Sequence, residues 1–190
     1  MQELIDRIMK DGQVLPGGIL KVDSFLNHQV DMGLMKRIGD EFARSFADSK
    51  PEKVLTIESS GIAPAGMCAL ALSVPLVIMK KQIANTSDIS RFTSRVRSFT
   101  KGQEYDLTVS RKYLLKGERV LFIDDFLAMG EAALGVIDIV KQAGAFLLGI
   151  GIVIEKSFQP GRAKLDALGI PVASLARISN MDEHAVEFIL

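Results

Sequence analysis

The feature that most constrains this chain is an alternation of short apolar runs with segments of helical spacing. The runs lack charged side chains and favour strands; they are 54–57, 75–79, 120–123, 147–154 and 172–175. Apolar residues recur at helical spacing in 2–10, in 32–47, after Gly61 and in 131–142. Strands that are apolar on both faces are typical of a parallel sheet covered by helices. The sequence therefore predicts an α/β fold with a parallel, twisted sheet flanked by helices.

Length, charge and cysteine content narrow the class of protein. The 190 residues suffice for one domain with its own core, and we take 1–190 as a single domain. The formal net charge is +0, so no nucleic-acid partner is expected. Cys68, the only cysteine, is predicted to be a buried apolar residue and can form no disulfide within the chain. His28 and His184 show no metal-ligand spacing, and no metal bound directly by protein side chains is expected.

The sequence does not predict export or membrane insertion. The N-terminal residues include acids and lack the apolar core of a signal peptide. The uncharged apolar stretch 142–154 is too short to cross a bilayer. With a single cysteine, these observations predict a cytoplasmic protein that has no membrane partner.

Two stretches depart from the alternation. Residues 13–31 are predicted to be irregular, because Pro-Gly-Gly beginning at Pro16 is a strong chain breaker. Residues 80–112 have an excess of Lys and Arg and little helical period; 105–109 is compatible with a strand, and the remainder is predicted to be a long flexible loop. In a chain without net charge, this excess of basic residues favours a lid that closes over a bound anion. The alternative is a charged loop that is simply exposed to solvent.

The most informative motif follows the third apolar run. Asp124 and Asp125 come directly after 120–123 and precede a short loop and the helix predicted from 131. Adjacent acids at a strand end are costly unless they meet a cation or hydroxyl groups, and a helix N-terminus favours a phosphate. Ligands of parallel α/β folds bind beyond the carboxyl ends of the strands. The motif therefore indicates a sugar-phosphate site, with a pair of helix-capping acids as the alternative.

A second strand-to-helix loop runs from Glu58 to Pro64. Its small residues Ser59, Ser60 and Gly61 precede a predicted helix and form a candidate anion site. A simple serine-capped helix explains this motif equally well.

The segment 120–132 resembles the phosphoribosyl diphosphate (PRPP) signature of type I phosphoribosyltransferases. The resemblance implies that Asp124 and Asp125 are the catalytic pair and hold the ribose 2′- and 3′-hydroxyls. It assigns the 5′-phosphate to the next loop, which comprises Ala128, Met129, Gly130, Glu131 and Ala132. It assigns the diphosphate to Ser59, Ser60 and Gly61 of the second loop and to Lys81. Members of the family often have a cis peptide bond in this loop.

The phosphate loop departs from the family pattern. Family members often have Thr-Gly-Gly or Thr-Gly-Lys followed by Thr, whereas this chain has Met-Gly-Glu-Ala from Met129. Side-chain hydroxyls are therefore missing, and backbone N–H groups must bind the phosphate. Glu131 must point away from the phosphate or weaken its binding. Ala128 replaces an aspartate of the hypoxanthine-guanine enzymes, which argues against that branch.

Segments near both ends of the chain resemble the base-binding hood of the xanthine-specific branch of this family. They are 20–29 and 153–162, and the predicted hood covers about 13–31 and 156–190. The similarity extends along essentially the whole chain.

The same resemblance implies that Leu20, Asn27 and Lys156 contact the purine, and Phe158 is compatible with stacking on it. The ammonium of Lys156 only donates hydrogen bonds, so it suits an oxo group and disfavours the amino group of adenine. Taken alone, Asn27 is equally compatible with a turn residue, Lys156 with a surface lysine and Phe158 with the core.

The resemblance implies a homodimeric transferase that uses PRPP and xanthine, with Mg²⁺ carried by PRPP. Two alternatives are a phosphoribosyltransferase for another oxopurine (guanine or hypoxanthine) and a PRPP-sensing regulator without catalysis. The regulator would need a DNA-binding module, but the sequence has no basic helix-turn-helix region. A plain nucleotide-binding α/β protein is disfavoured, because the chain has neither G-x-G-x-x-G after a strand nor a P-loop lysine motif.

Overall fold

The computed structural model describes residues 1–82, 90–97, 104–182 and 185–189. Its α-helices, in chain order, are α1 Gln2–Asp11, α2 Met32–Phe46, α3 Ile62–Leu72, α4 Glu131–Ala143 and α5 Gly161–Ala167. Its strands are β1 Gln13–Leu15, β2 Ile19–Lys21, β3 Lys53–Ile57, β4 Leu76–Gln82, β5 Arg91–Arg97, β6 Glu104–Ser110, β7 Arg119–Leu127, β8 Phe146–Lys156, β9 Val172–Met181 and β10 Val186–Ile189. A π-helix spans Asp23–Asn27 between β2 and α2.

One large sheet organises the described residues, with strand order β10-β9-β8-β7-β3-β4-β6-β5. The five strands from β9 to β4 are parallel to their neighbours and coincide with the five apolar runs. The two edges are antiparallel, because β10 pairs with β9 and the β5–β6 hairpin pairs with β4. The predicted α/β fold with a parallel central sheet and flanking helices is thus confirmed, and the sheet is mixed at its margins.

The prediction that 13–31 is irregular is wrong. Its first part is the β1–β2 hairpin, in which Gln13 pairs with Lys21, and its second part is the π-helix. The Pro-Gly-Gly breaker is the turn of this hairpin. Strands of three residues are too short to show a recognisable alternation, so the tertiary contacts of the hairpin, and not its local pattern, reveal it.

The prediction of a long loop over 80–112 is wrong for much of its described part. β5 and β6 form an antiparallel hairpin, and the possible strand at 105–109 lies inside β6. The charged residues of β5 conceal its alternation, because Phe92, Ser94 and Val96 are buried while the intervening side chains face outward. α4 packs against this buried face. Residues 83–89 and 98–103 of the predicted loop lie outside the described residues.

Two apolar clusters fill the two sides of the sheet. One includes Phe25, Phe42 and Cys68 beneath α2 and α3, and the other includes Phe122 and Ile139 beneath α4. Cys68 is buried, as predicted. Within the described ranges, every helix is too short or too polar to cross a membrane.

Candidate active site

The paired acids lie inside a strand, not after it as predicted. β7 continues to Leu127, because its second half still pairs with β8 through Asp124 opposite Ile152 and Phe126 opposite Ile154. On its other side, β7 pairs with β3 only up to Phe122. The two strands therefore separate just before the acids, which opens a crevice at the carboxyl end of the sheet, where ligands bind in this class of fold.

Asp124 is nearly buried, with 8% of its surface exposed. Burial and the adjacent Asp125 raise its pKa well above the usual aspartate value, and the positive charge of Lys81 opposes this shift. One carboxylate oxygen, Oδ1, accepts a hydrogen bond from the Asp125 N–H at 3.1 Å. Oδ1 of Asp125 accepts from the Phe126 N–H at 3.0 Å. The backbone thus orients both carboxyl groups at the crevice.

The loop after β3 closes the other wall of the crevice. The peptide bond between Glu58 and Ser59 is cis, in the loop where the family often has a cis peptide bond. Gly61 lies against Asp124: a Cβ at this residue would be 3.0 Å from Asp124 Oδ1 and 2.5 Å from Thr56 Oγ1. The structure therefore brings Gly61 and Asp124 together, with Ser59 and Ser60 on the same short loop between β3 and α3.

Glu58 at the start of this loop was missed by the sequence analysis. Its carboxylate accepts a hydrogen bond from Lys80 Nζ and one from the Lys81 N–H, each at 2.8 Å. The bond from Lys80 is the main reason that the pKa of Glu58 lies below its usual range, although burial opposes it. These bonds tie the loop to β4 and place Lys81 close enough to Asp124 to affect its pKa. The Lys81 ammonium lies 5.6 Å from the centre of the Tyr105 ring.

The predicted phosphate loop, Ala128–Ala132, extends into the first turn of α4. Gly130 has φ +85°, a conformation that glycine adopts without strain, and α4 begins at the next residue. The first N–H groups of a helix have no partner within the helix, and no side chain caps this one. The loop can therefore present backbone N–H groups to an anion without the hydroxyls that the sequence lacks.

α5 supports the predicted phosphate loop from behind, and the sequence analysis did not identify the residues of α5 that do so. The Gly161 N–H donates to the Ala128 carbonyl at 2.9 Å, and a Cβ at Gly161 would be 2.3 Å from that oxygen. Lys164 Nζ donates to the Met129 carbonyl at 2.9 Å and to Glu131 Oε1 at 2.7 Å. No local pattern identifies these residues, because the contacts join positions more than 30 apart in the chain.

The predicted base-reading residues are only partly brought together. Lys156 at the end of β8 donates from Nζ to the Gly18 carbonyl at 2.8 Å, which places it beside the β1–β2 hairpin that contains Leu20. Burial lowers the pKa of Lys156. Leu20 is buried, whereas Asn27 is exposed at the end of the π-helix. Among the described residues, no hydrogen bond joins Asn27 to Lys156.

The C-terminal part of the predicted hood belongs largely to the main sheet. Within 156–190, β9 pairs with β8 and β10 extends the same sheet. Phe158 is 45% exposed and so does not belong to the core. The turn that carries Phe158 joins Lys156 to α5, so the predicted base-reading lysine and the support of the predicted phosphate loop lie within nine residues of each other.

Glu155, next to Lys156, is fully buried. It accepts hydrogen bonds from Ser157, Ser174, Arg162 and Arg177. Burial alone would raise its pKa, but the bonds from Ser157, Ser174 and Arg162 lower the pKa overall. This cluster anchors the turn between β8 and α5.

The described residues offer limited ligation for a metal. They contain no group of three or more His, Cys, Asp or Glu side chains arranged around one position. Asp124 and Asp125 are adjacent oxygen donors of the kind that Mg²⁺ accepts, but two carboxylates leave most of its coordination to other ligands.

Comparison with known proteins agrees with this geometry. Residues 22–168 match the phosphoribosyl transferase domain family. The chain is 55% identical over 190 residues to xanthine phosphoribosyltransferase of Shouchella clausii, covering 100% of this chain and 94% of the relative. It is 54% identical over 189 residues to xanthine phosphoribosyltransferase of Agathobacter rectalis, covering 100% and 98%.

Solved structures share the fold. Adenine phosphoribosyltransferase of Saccharomyces cerevisiae has a TM-score of 0.74 at 26% identity, covering 92% of this chain and 99% of that one. The enzyme of Giardia lamblia has a TM-score of 0.76 at 22% identity, covering 93% and 98%. The match over residues 22–168 and the full-length identity show that this chain belongs to the phosphoribosyltransferase family.

Proposed function

We propose that this chain transfers the 5-phosphoribosyl group from PRPP to xanthine, giving xanthosine 5′-monophosphate and diphosphate in purine salvage. The observation that carries the choice of base is the similarity to named xanthine phosphoribosyltransferases, at 52–55% identity along the entire chain. Lys156, a donor-only side chain beside the hairpin of Leu20, supports an oxopurine.

The two acids would hold the ribose. The hydroxyls of the sugar provide the donors that nearly buried carboxylates require, and they would offset the cost of burying Asp124. As positive charge develops on the ribose at the transition state, the adjacent Asp124 and Asp125 would stabilise it. The reaction needs no protein nucleophile: a xanthine nitrogen bonds to the anomeric carbon as the bond to diphosphate breaks.

The two loops would hold the two ends of PRPP. The backbone N–H groups of the Ala128–Ala132 loop would bind the 5′-phosphate, with Gly130 permitting the turn. Ser59, Ser60 and Gly61 would bind the diphosphate, with Lys81 supplying positive charge nearby. Mg²⁺ carried by PRPP would supply positive charge to the departing diphosphate. Its oxygen ligands would come from PRPP and water, since we expect no protein side chain to bind the ion directly and propose that Asp124 and Asp125 hold the ribose hydroxyls.

The base end would use Leu20, Asn27 and Lys156. The apolar side chain of Leu20 would form one wall, and Lys156 would exchange its bond with the Gly18 carbonyl for one with an oxo group of xanthine. Asn27 offers both a donor and an acceptor for a second edge of the base. The predicted lid over the site includes Lys101, which lies outside the described residues.

Xanthine is a comparatively acidic purine, so we further propose that it binds partly deprotonated. This would compensate for Ala128, which replaces the proposed acid–base aspartate of the hypoxanthine-guanine enzymes. Measurement of kcat/KM against pH tests this step. An inflection near the ionisation of xanthine is expected, and a flat profile there would contradict it.

The decisive assay is formation of xanthosine monophosphate from xanthine and PRPP with Mg²⁺, with guanine, hypoxanthine and adenine in parallel. We expect xanthine to react fastest and the activity to disappear when Asp124→Asn is combined with Asp125→Asn. Faster reaction with guanine or hypoxanthine would favour the enzyme for another oxopurine. PRPP binding without turnover of any base would favour a PRPP-sensing regulator.

A homodimer in the cytoplasm completes the proposal. The outer face of α3 is apolar: the helix has no charged residue, and Leu70 is 71% exposed. A groove of about 610 Å³ lies along β4, and its lining includes apolar Pro75, Leu76 and Ile78 together with the charged Lys53, Lys80 and Arg91. Extended exposed apolar surfaces mark contacts with other proteins.

Analytical ultracentrifugation tests this surface directly. We expect the chain to sediment as a dimer and Leu70→Glu to shift it towards monomer. Leu168→Glu is the matched control, because Leu168 is similarly exposed at 54% but lies at the end of α5. A monomeric chain would contradict the homodimer, and equal effects of both substitutions would contradict the surface.

A further inference from the structure

Glu131 is an unfavourable residue for a phosphate loop. It occupies the first turn of α4, beside the backbone N–H groups that we propose bind the 5′-phosphate. A carboxylate at that position repels a phosphate unless its charge is neutralised or directed elsewhere. In the structure, Glu131 Oε1 lies 2.7 Å from Lys164 Nζ of α5. The acid that the sequence places in the loop therefore has a specific cationic partner.

The same ammonium also holds the loop backbone. Lys164 Nζ donates to the Met129 carbonyl at 2.9 Å while it pairs with Glu131. A carbonyl oxygen that is bonded on the α5 side is not available to face an anion. One side chain thus constrains two groups of negative character, a carbonyl and a carboxylate, in adjacent parts of the loop.

The position of Lys164 is itself well anchored. α5 begins at Gly161, whose N–H donates to the Ala128 carbonyl at 2.9 Å. Arg162 donates to the buried Glu155 at 2.9 Å. Backbone contact on one side and a buried ion pair on the other therefore fix the helix that presents Lys164. The loop receives a preorganised cation, not a mobile surface lysine.

We propose that Lys164 is a positioning residue for PRPP: it draws Glu131 away from the 5′-phosphate and holds the Met129 carbonyl away from it. The inference rests on the proposed function, because it requires PRPP at this loop. The pair is partly exposed, at 35% for Lys164 and 40% for Glu131, so it contributes little to folding stability. We expect the pair to affect the affinity for PRPP.

Lys164→Met tests the positioning role. We expect PRPP to bind about tenfold more weakly in calorimetric titrations with Mg²⁺, because the uncompensated carboxylate then faces the phosphate. The KM for PRPP should rise similarly, while kcat, the KM for xanthine and the Tm stay near those of the wild-type chain. Lys164→Arg, which keeps the charge, should restore most of the affinity. Lys141→Met, in the last turn of α4, is the control and should bind PRPP normally.

The double variant separates positioning from a general structural role. If Glu131 is the group that Lys164 controls, Glu131→Gln in the Lys164→Met background recovers most of the lost PRPP affinity. Wild-type affinity in Lys164→Met, or a double variant as weak as Lys164→Met, would overturn the inference. Lys164→Gln removes the charge but keeps a polar side chain, so it gives the same test if the methionine variant does not fold.

The outcomes also distinguish this inference from the proposed function. A chain that binds PRPP but makes no xanthosine monophosphate contradicts the proposed reaction, while the binding measurements still decide the role of Lys164. A wild-type chain that does not bind PRPP overturns both.

Discussion

Asp124 combines a buried carboxyl group with a position at the opening between two strands. Folding removes its carboxyl group from water beside that of its chain neighbour Asp125, and both effects raise its pKa. A residue whose charged form is disfavoured in the folded protein costs stability at neutral pH. Such a cost is common at functional sites, where the ligand supplies the missing partners.

We therefore expect Asp124→Asn to be more stable than the wild-type chain at neutral pH and to lose activity. Each kcal/mol recovered raises the Tm of a chain of this size by about 2–4 °C. Because the folded-state pKa is raised, the aspartate imposes no cost below its unfolded-state pKa, and the cost grows as the pH rises towards the folded-state pKa. Thermal melts of both proteins from acidic to neutral pH should show a difference that widens with pH. A constant or narrowing difference would contradict the shift.

Glycine is required at position 61 because neighbouring atoms leave no room for a side chain, and not because of its backbone conformation. A Cβ there would lie 2.5 Å from Thr56 Oγ1 and 3.0 Å from Asp124 Oδ1. Gly61→Ala should therefore displace Asp124 or the loop and reduce kcat/KM for PRPP by about tenfold or more, as misplacement of positioning groups generally does. Steady-state kinetics measures this effect.

Gly66→Ala is the matched control for Gly61→Ala. Its Cβ would meet only Leu76 Cδ2, at an ordinary 3.9 Å, and the residue lies within α3. We expect unchanged kinetics and a gain of about 0.5–1 kcal/mol, because alanine favours a helix over glycine. Equal losses of activity in both variants would show that the contact with Asp124 is unimportant.

At the scale of elements, the packing of α2 on α3 sets the position of the loop before α3. The two helices approach so closely at Gly39 that a Cβ there would lie 2.4 Å from Met67 Cβ and 2.6 Å from the Cys68 backbone nitrogen. α3 begins directly after the loop that contains Ser59, Ser60 and Gly61. A shift of α3 would therefore move a wall of the proposed PRPP site.

Gly39→Ala should separate α2 from α3 and destabilise the chain by about 1–3 kcal/mol, the usual cost of overpacking a core. Urea unfolding measures this change. Gly33→Ala lies in the first turn of the same helix, where the nearest atoms are 3.4 Å away at the ends of the Arg37 and Asp31 side chains. It should leave stability nearly unchanged or raise it, and a similar loss in both variants would contradict the packing argument.

At the scale of the whole molecule, two apolar clusters pack against one sheet, and strands of that sheet contribute side chains to both clusters. Opening either cluster therefore exposes side chains of the shared sheet to water. Cys68 reports on this behaviour because it is buried in the cluster beneath α3. Burial raises its pKa to about 12, so the thiolate that reacts with disulfide reagents is scarce in the folded protein.

We expect the native chain to react with an aromatic disulfide reagent far more slowly than the urea-unfolded chain at the same pH. Labelling of Cys68 requires opening of the core, so the labelling rate should increase in Gly39→Ala, which lowers stability and makes that opening more frequent. Rapid labelling of the native protein, insensitive to that substitution, would show that α3 opens independently of the rest.

The sequence by itself determined the central sheet. Strands that are buried on both faces are continuously apolar, so a local reading of 120–123 or 147–154 is sufficient to locate them. The same locality placed Asp124 and Gly61 at one edge of the sheet, because every parallel strand directs its carboxyl end to the same edge, although β7 continues past Asp124 and the order of the strands was not predicted. The resemblance to a known family then supplied roles that these residue types alone left open.

Tertiary structure decided the rest. The β5–β6 hairpin carries charges on its outer face that conceal its alternation, and only packing on α4 shows which face is buried. Lys164, Gly161 and Glu155 act through partners that are distant in sequence, and no pattern in their neighbourhood records those contacts. The spacing of apolar residues shows which face of a helix or strand is buried. A hydrogen bond between groups distant in sequence forms only once the chain has folded.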